Sequence, residues 1–133
     1  MSDRRTILIL SANPKGTDPL RLGEEIREIK ERLRRSKYRD LFQVETAEAV
    51  RVRDIRQAMF DYEPNIAHFS GHGGGTEGLV FEDETGQVKL VSAEALAEIF
   101  ASFADKLDCV LLNACYSEVQ AKEISRHINS VIA

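Results

Sequence analysis

Two segments of the chain carry residues fit for covalent chemistry. One is His68-Phe69-Ser70-Gly71-His72-Gly73, which runs on into Gly74 and Gly75. The other is Asn113-Ala114-Cys115. A thiolate is a strong nucleophile, but a thiol is mostly protonated at neutral pH unless its surroundings help it ionise. An imidazole within reach takes that proton and can later protonate a leaving amine. Cys115 stands just ahead of a helical segment, whose dipole favours an anion at that end. The glycines next to His72 let a backbone N–H approach a developing oxyanion with no Cβ in the way. His72 and Cys115 are therefore the candidate catalytic pair. The backbone N–H groups of Gly73 and Cys115 are the candidate oxyanion donors.

Other residues of the same types read differently. Cys109 lies inside an apolar run, where a cysteine behaves as a small buried hydrophobe. His68 falls inside a strand and reads as structural, and His127 as a surface or interface residue of the last helix. A phosphate-binding loop needs a helix directly after its glycines, whereas a hairpin follows here, with no Gly-Lys-Ser/Thr, so nucleotide or phosphate binding at this loop is the minor reading. A lipase-type oxyanion loop needs a Gly-x-Ser-x-Gly elbow elsewhere, and the chain has none. A zinc site needs three or four ligands. His68, His72, Cys109 and Cys115 supply the number, but two of them lie within strands, so a zinc site is a minor reading; a thiol–imidazole pair needs no metal or other cofactor. Glu77, Glu82, Asp83 and Glu84 crowd the stretch after the loop. They would favour a basic substrate, but the plainer reading is a solvated surface.

The elements that must position the pair follow from periodicity. Thr6–Leu10 is a continuous apolar run, as in a strand buried on both faces. Asp18-Pro19 reads as a cap and first helical position. Leu22, Ile26, Ile29 and Leu33 then line one helical stripe. Phe42–Ala47 predicts a second strand. Val52, Ile55, Met59 and Tyr62 predict a second helix, stopped by Pro64, and Asn65–Ser70 a third strand. Leu79–Phe81 and Val88–Val91 flank turn residues and read as a short hairpin. Ser92 caps a third helix bearing Leu96, Ile99, Phe100 and Phe103. Cys109–Leu112 predicts another buried strand, Ala121, Ile124 and Ile128 a fourth helix, and Val131-Ile132 a last strand. Strands alternating with helices imply an α/β sheet, mostly parallel, with helices on both faces. Working groups in such sheets gather at the carboxyl ends of the strands, where both candidate segments fall. If the third strand and the Cys109–Leu112 strand are neighbours, their tips lie about 4.8 Å apart. Asp18 and Arg21, after the first strand, are further candidates for substrate contact.

Composition narrows the class. The chain has 133 residues, 43% hydrophobic and 30% charged, with a net charge of −4. That suits one soluble domain over 1–133. No apolar run approaches the ~18 residues of a membrane span, and the N-terminus is not a signal peptide. Two cysteines six positions apart make no secreted disulfide framework. A reduced, cytoplasmic setting is expected, with no membrane partner. Residues 1–56 carry +4 and residues 57–133 carry −8. The basic excess is interleaved with acids as Glu28/Arg32 and Glu31/Arg35, the pattern of a solvated helix face, so no nucleic-acid partner is expected.

Ala67-His68-Phe69-Ser70-Gly71-His72-Gly73 and Leu111-Leu112-Asn113-Ala114-Cys115-Tyr116-Ser117 resemble the two signature segments of the CHAT domain. This is a caspase-like branch of the cysteine peptidases, related to caspases, metacaspases and separase. The likeness extends to Ile7-Leu8-Ile9-Leu10-Ser11-Ala12-Asn13-Pro14, to Asp61-Tyr62-Glu63-Pro64, and to residues 118–127. The resemblance implies a three-layer α/β/α sandwich with sheet order 2-1-3-4-5-6. By position, it carries the family's histidine onto His72, its nucleophile onto Cys115, and the oxyanion donors onto Gly73 and Cys115. It implies hydrolysis of protein or peptide substrates through an acyl-enzyme, in prokaryotic signalling or defence. It further implies that the C-terminal part of the fold is missing after Ala133, including a wall of the substrate cleft. The chain alone is then expected to be a weak peptidase or none, and its unfinished sheet edge to attract a complementing C-terminal segment or a second copy. The alternative is a non-catalytic caspase-like interaction module.

Overall fold

The computed structural model describes residues 4–12, 22–37, 39–48, 51–72, 78–113 and 118–132. Strand β1 (Arg5–Ser11) leads to helix α1 (Leu22–Arg35). A single 3-10 turn, Arg39–Leu41, precedes β2 (Phe42–Glu48). Then come α2 (Val52–Tyr62), β3 (Ile66–Ser70), the hairpin β4 (Leu79–Glu82) and β5 (Val88–Val91), and α3 (Ala93–Ala101). The chain continues through β6 (Cys109–Asn113), α4 (Glu118–Ile124) and β7 (Ser130–Ile132). Five strands form one sheet in the order β2-β1-β3-β6-β7, every pair parallel. With the separate hairpin left out, this is 2-1-3-4-5, the first five strands of the order 2-1-3-4-5-6 expected of a caspase-like sandwich.

The helix ends follow local chemistry. Ser92 Oγ accepts from the Ala95 N–H at 3.2 Å and starts α3. Asp54 accepts from the Arg51 N–H at 3.0 Å at the start of α2. That helix closes on Glu63, left-handed at φ 44°, just before Pro64. Two helices are shorter than their apolar stripes predict. The Ser102 hydroxyl bonds back to the Glu98 carbonyl at 3.0 Å where α3 ends, a bond that competes with helix propagation. Phe103 then reaches the core from a turn. Likewise α4 stops at Ile124, and Ile128 is buried from the turn beyond it. His127 lies exposed in that turn and not on the helix.

The direction of the crossovers decides how the faces are covered. From β1 the chain steps one way to β2. From β2 to β3, β3 to β6 and β6 to β7 it steps the other way. Right-handed crossovers then put α1 alone on one face and α2, α3 and α4 on the other. Side chains agree. Leu8, Leu10, Ala67, Phe69, Val110 and Leu112 face the three helices and join one core with Ile55, Met59, Leu96, Phe100 and Ile124. The alternate residues face α1. Cys109–Leu112, expected to be buried on both faces, is buried only through Val110 and Leu112, while Cys109 and Leu111 are half-buried. Among the described residues, no helix is long and apolar enough to cross a membrane.

Candidate active site at the carboxyl rim of the sheet

Strand register brings the two sequence segments together. Ser70, at the end of β3, lies opposite Asn113, at the end of β6. The ladder runs one step further, the Gly71 N–H donating to the Asn113 carbonyl at 3.2 Å. On the other side of β3, the Ala12 N–H donates to the Ser70 carbonyl at 2.8 Å. Polar residues Ser11, Ser70 and Asn113 therefore end three adjacent strands in one row.

His72 follows directly, half-buried on this rim. Its carbonyl accepts from the Val80 N–H at 2.9 Å, which ties the departure from β3 to the return into β4. Glycines make both ends of that excursion fit. A Cβ on Gly71 would lie 2.8 Å from the Phe69 ring, which is wholly buried and packed against Phe81. Gly78 has φ +115°, and a Cβ there would lie 2.1 Å from the Val91 carbonyl oxygen. Cys115, Gly73, Asp18 and Arg21 lie outside the described residues, as does Glu77.

Beneath the rim, on the α1 face, is a polar cluster that the sequence did not announce. One carboxylate oxygen of Glu25, Oε1, meets His68 Nε2 at 2.6 Å, Ser70 Oγ at 3.1 Å and Asn113 Nδ2 at 3.0 Å. Burial alone pushes the Glu25 carboxyl up. The hydrogen bonds from Asn113, His68 and Ser70, with the charge of His68, outweigh that and hold it below its ordinary value. At neutral pH Glu25 is ionised and can only accept, so His68 Nε2 carries its proton and donates. The Ser70 hydroxyl donates to Glu25 and not to the imidazole, so the group lacks the arrangement of a serine nucleophile with its base. His68 is thus structural, as expected, yet half-buried and tied to a helix. The available signal was in α1: Glu25 falls three after Leu22 and four before Ile29, on the apolar stripe itself.

The acidic stretch after the loop is occupied with structure. Asp83 Oδ1 accepts from the Thr85 hydroxyl and from the N–H groups of Thr85 and Gln87, shaping the hairpin turn. Those bonds hold its carboxyl below the ordinary value. Glu84 pairs with Arg53 at 3.1 Å, and Glu82 is buried. Among the described residues, no three His, Cys, Asp or Glu side chains are placed to hold a metal. A cavity of about 150 Å³ lined by Glu63, Pro64, Phe103 and Lys106 opens at the opposite end of the sheet and has no part in the rim.

No family model matches the chain. It is 26% identical over 135 aligned positions to a protein named Roc-COR-CHAT protease from an unidentified prokaryote, covering 96% of this chain and 13% of that protein. It is also 26% identical over 130 positions to a probable protease of Gillisia limnaea, covering 96% of this chain and 23% of the relative. The chain thus spans less than a quarter of the length of each of these relatives, and its likeness to both runs through the whole α/β unit described above.

Proposed function

We propose that this chain is the dyad-bearing part of a caspase-like cysteine peptidase of the CHAT type, acting on protein or peptide substrates in the cytoplasm of a prokaryote, in signalling or defence. The observation that carries the reading is the in-register pairing of β3 with β6. The Gly71 N–H is bonded to the Asn113 carbonyl, His72 is the next residue after Gly71, and Cys115 is two residues past Asn113. Two residues of chain span at most about 7 Å. The names of the two relatives support peptidase chemistry at the coarser level.

In this mechanism His72 takes the proton from Cys115, and the thiolate sulfur attacks the scissile carbonyl carbon. The carbonyl electrons move onto oxygen, which the N–H groups of Gly73 and Cys115 stabilise. Collapse of the tetrahedral intermediate breaks the C–N bond as His72 returns the proton to the leaving amine. Water then attacks the thioester with His72 as base, releasing the acid and the free thiol. Asp18 and Arg21 are assigned to substrate contact. A further strand, from a complementing segment or a second copy, would add at the β7 edge.

The test is Cys115→Ala, assayed on a fluorogenic protein substrate and with an electrophilic thiol probe near neutral pH. Hydrolysis is expected to vanish with little change in thermal stability, and the wild-type probe adduct to map to Cys115 and not Cys109. Hydrolysis that survives the substitution ends the proposal. Equal labelling of both thiols would point to the non-catalytic module instead.

A further inference from the structure

We propose that Glu25 is a positioning residue for this pair: its ionised carboxylate clasps the tips of β3 and β6 and so fixes how the His72 and Cys115 segments leave the sheet. The inference rests on the peptidase reading above. It comes from the convergence of three donors on one oxygen. His68 and Ser70 belong to β3, Asn113 belongs to β6, and Glu25 belongs to α1. Three separate elements are therefore joined at one atom, immediately below the point where both candidate segments depart.

A carboxylate suits this position in a way that a neutral side chain does not. An amide oxygen is a weaker acceptor, and its NH2 would face the three donors. Among the described residues, one backbone bond joins the tips of β3 and β6 beyond the paired residues, that from Gly71 to Asn113. The Glu25 bond to the Asn113 side chain adds a second tie on the α1 face. An apolar residue would match the stripe of α1 at this place, so the carboxylate is retained against the local pattern. The same bond keeps His68 Nε2 committed as a donor, leaving His72 as the rim imidazole for proton transfer. The partners of Glu25 are His68 and Ser70 on β3 and Asn113 on β6, so it acts through strand placement.

The experiment measures iodoacetamide alkylation of Cys115 by mass spectrometry from pH 5 to 9 in the full chain, with Cys109 as internal reference. It compares wild type, Glu25→Gln, Glu25→Asp and Asn113→Ala. Glu25→Gln is expected to raise the pH midpoint of Cys115 by about one unit, an about tenfold loss of reactive thiolate below the midpoint. The Cys109 profile should stay unchanged. Asn113→Ala, which cuts the β6 arm alone, should shift Cys115 in the same direction, and Glu25→Asp should recover part of the loss. An activated Cys115 in wild type with an unshifted midpoint in Glu25→Gln overturns the positioning role and leaves the peptidase reading standing. A wild-type Cys115 no more reactive than Cys109 overturns both. Should Glu25→Gln fail to fold, Glu25→Asp and Asn113→Ala decide the matter by the same midpoint, since a clasp predicts a shift in each and a mere fold staple predicts none.

Discussion

On the face of the sheet that meets α2, α3 and α4, Leu8, Leu10, Ala67, Phe69, Val110 and Leu112 are all 5% exposed or less. On the face that meets α1, Ile9 and Ser70 are buried, but Ile7, Ile66, His68, Cys109 and Leu111 are only half-buried, and Ile132 is 57% exposed. The stripe of α1 is itself half-buried at Ile26, Ile29 and Leu33. Polar groups are placed accordingly. The half-open face holds Glu25, His68, Ser70 and Asn113 in contact. Stability is thus concentrated on one side of a sheet that is two-sided by topology. The other side is free to carry charge close to the rim, where a fully buried carboxylate would be costly.

The largest effect that separates the faces comes from neighbours on one strand. Leu112 points into the sealed core and Leu111, the residue before it, toward α1. Leu112→Ala is expected to cost about 2–5 kcal/mol of unfolding free energy, the range for a buried leucine truncated in a core that cannot collapse. Leu111→Ala should cost about 1–2 kcal/mol, because part of its surface is already in water. Urea denaturation of both variants measures this. Equal losses would mean that α1 seals its face as tightly as the three helices seal theirs.

Much of this architecture was readable from residues alone. Of the run Thr6–Leu10, Leu8, Ile9 and Leu10 are buried on both faces as its continuity implied, while Thr6 and Ile7 are half-buried, and Ser92 caps α3 as its type implied. The run at Cys109–Leu112 misled, because an unbroken apolar stretch cannot say how well each face is covered. That depends on the crossover count, which puts three helices on one side and one on the other. Glu25 escaped because α1 is rich in charge, and an acid among Glu24, Glu28 and Glu31 looks like solvated surface. Only its place on the apolar stripe sets it apart, and its partners come from strands more than forty residues away. For the rim itself, the residues placed His72 just past the end of β3, and the family resemblance implied the pairing of β3 with β6. Which side chains brace those tips depends on register and helix docking, which a single chain does not spell out.

A smaller effect tests the charge on the half-open face. Glu25→Ala removes the acceptor of three donors and is expected to cost about 1–2 kcal/mol at pH 7, reduced from a fully buried loss because water can reach the cluster. The pH dependence has a definite sign. The folded-state carboxyl of Glu25 lies below its ordinary value. Its contribution is therefore complete above the ordinary carboxylate range and is lost as pH falls through the lowered folded-state value. The stability gap between wild type and Glu25→Ala should be widest at pH 7 and narrow toward pH 3. A gap independent of pH would show that packing of the side chain, and not its charge, matters there.

The smallest effect concerns Cys109, which borders the half-open face at the start of β6. Burial pushes its thiol up first, and the negative charge of Asp108 adds to that. Asp108 is itself half-exposed and is paired with Arg5 at 3.2 Å, so much of its field is screened before it reaches the sulfur. Asp108→Asn should therefore speed alkylation of native Cys109 at pH 8 by only about two- to threefold, well short of the rate in urea. A tenfold gain would make charge, and not burial, the main brake on this thiol. No reaction at all in the folded protein, at any pH from 8 to 11 at which unfolded protein is alkylated, would instead show that the α1 face excludes reagent as fully as the core does, and the contrast between the two faces would have to be abandoned at β6.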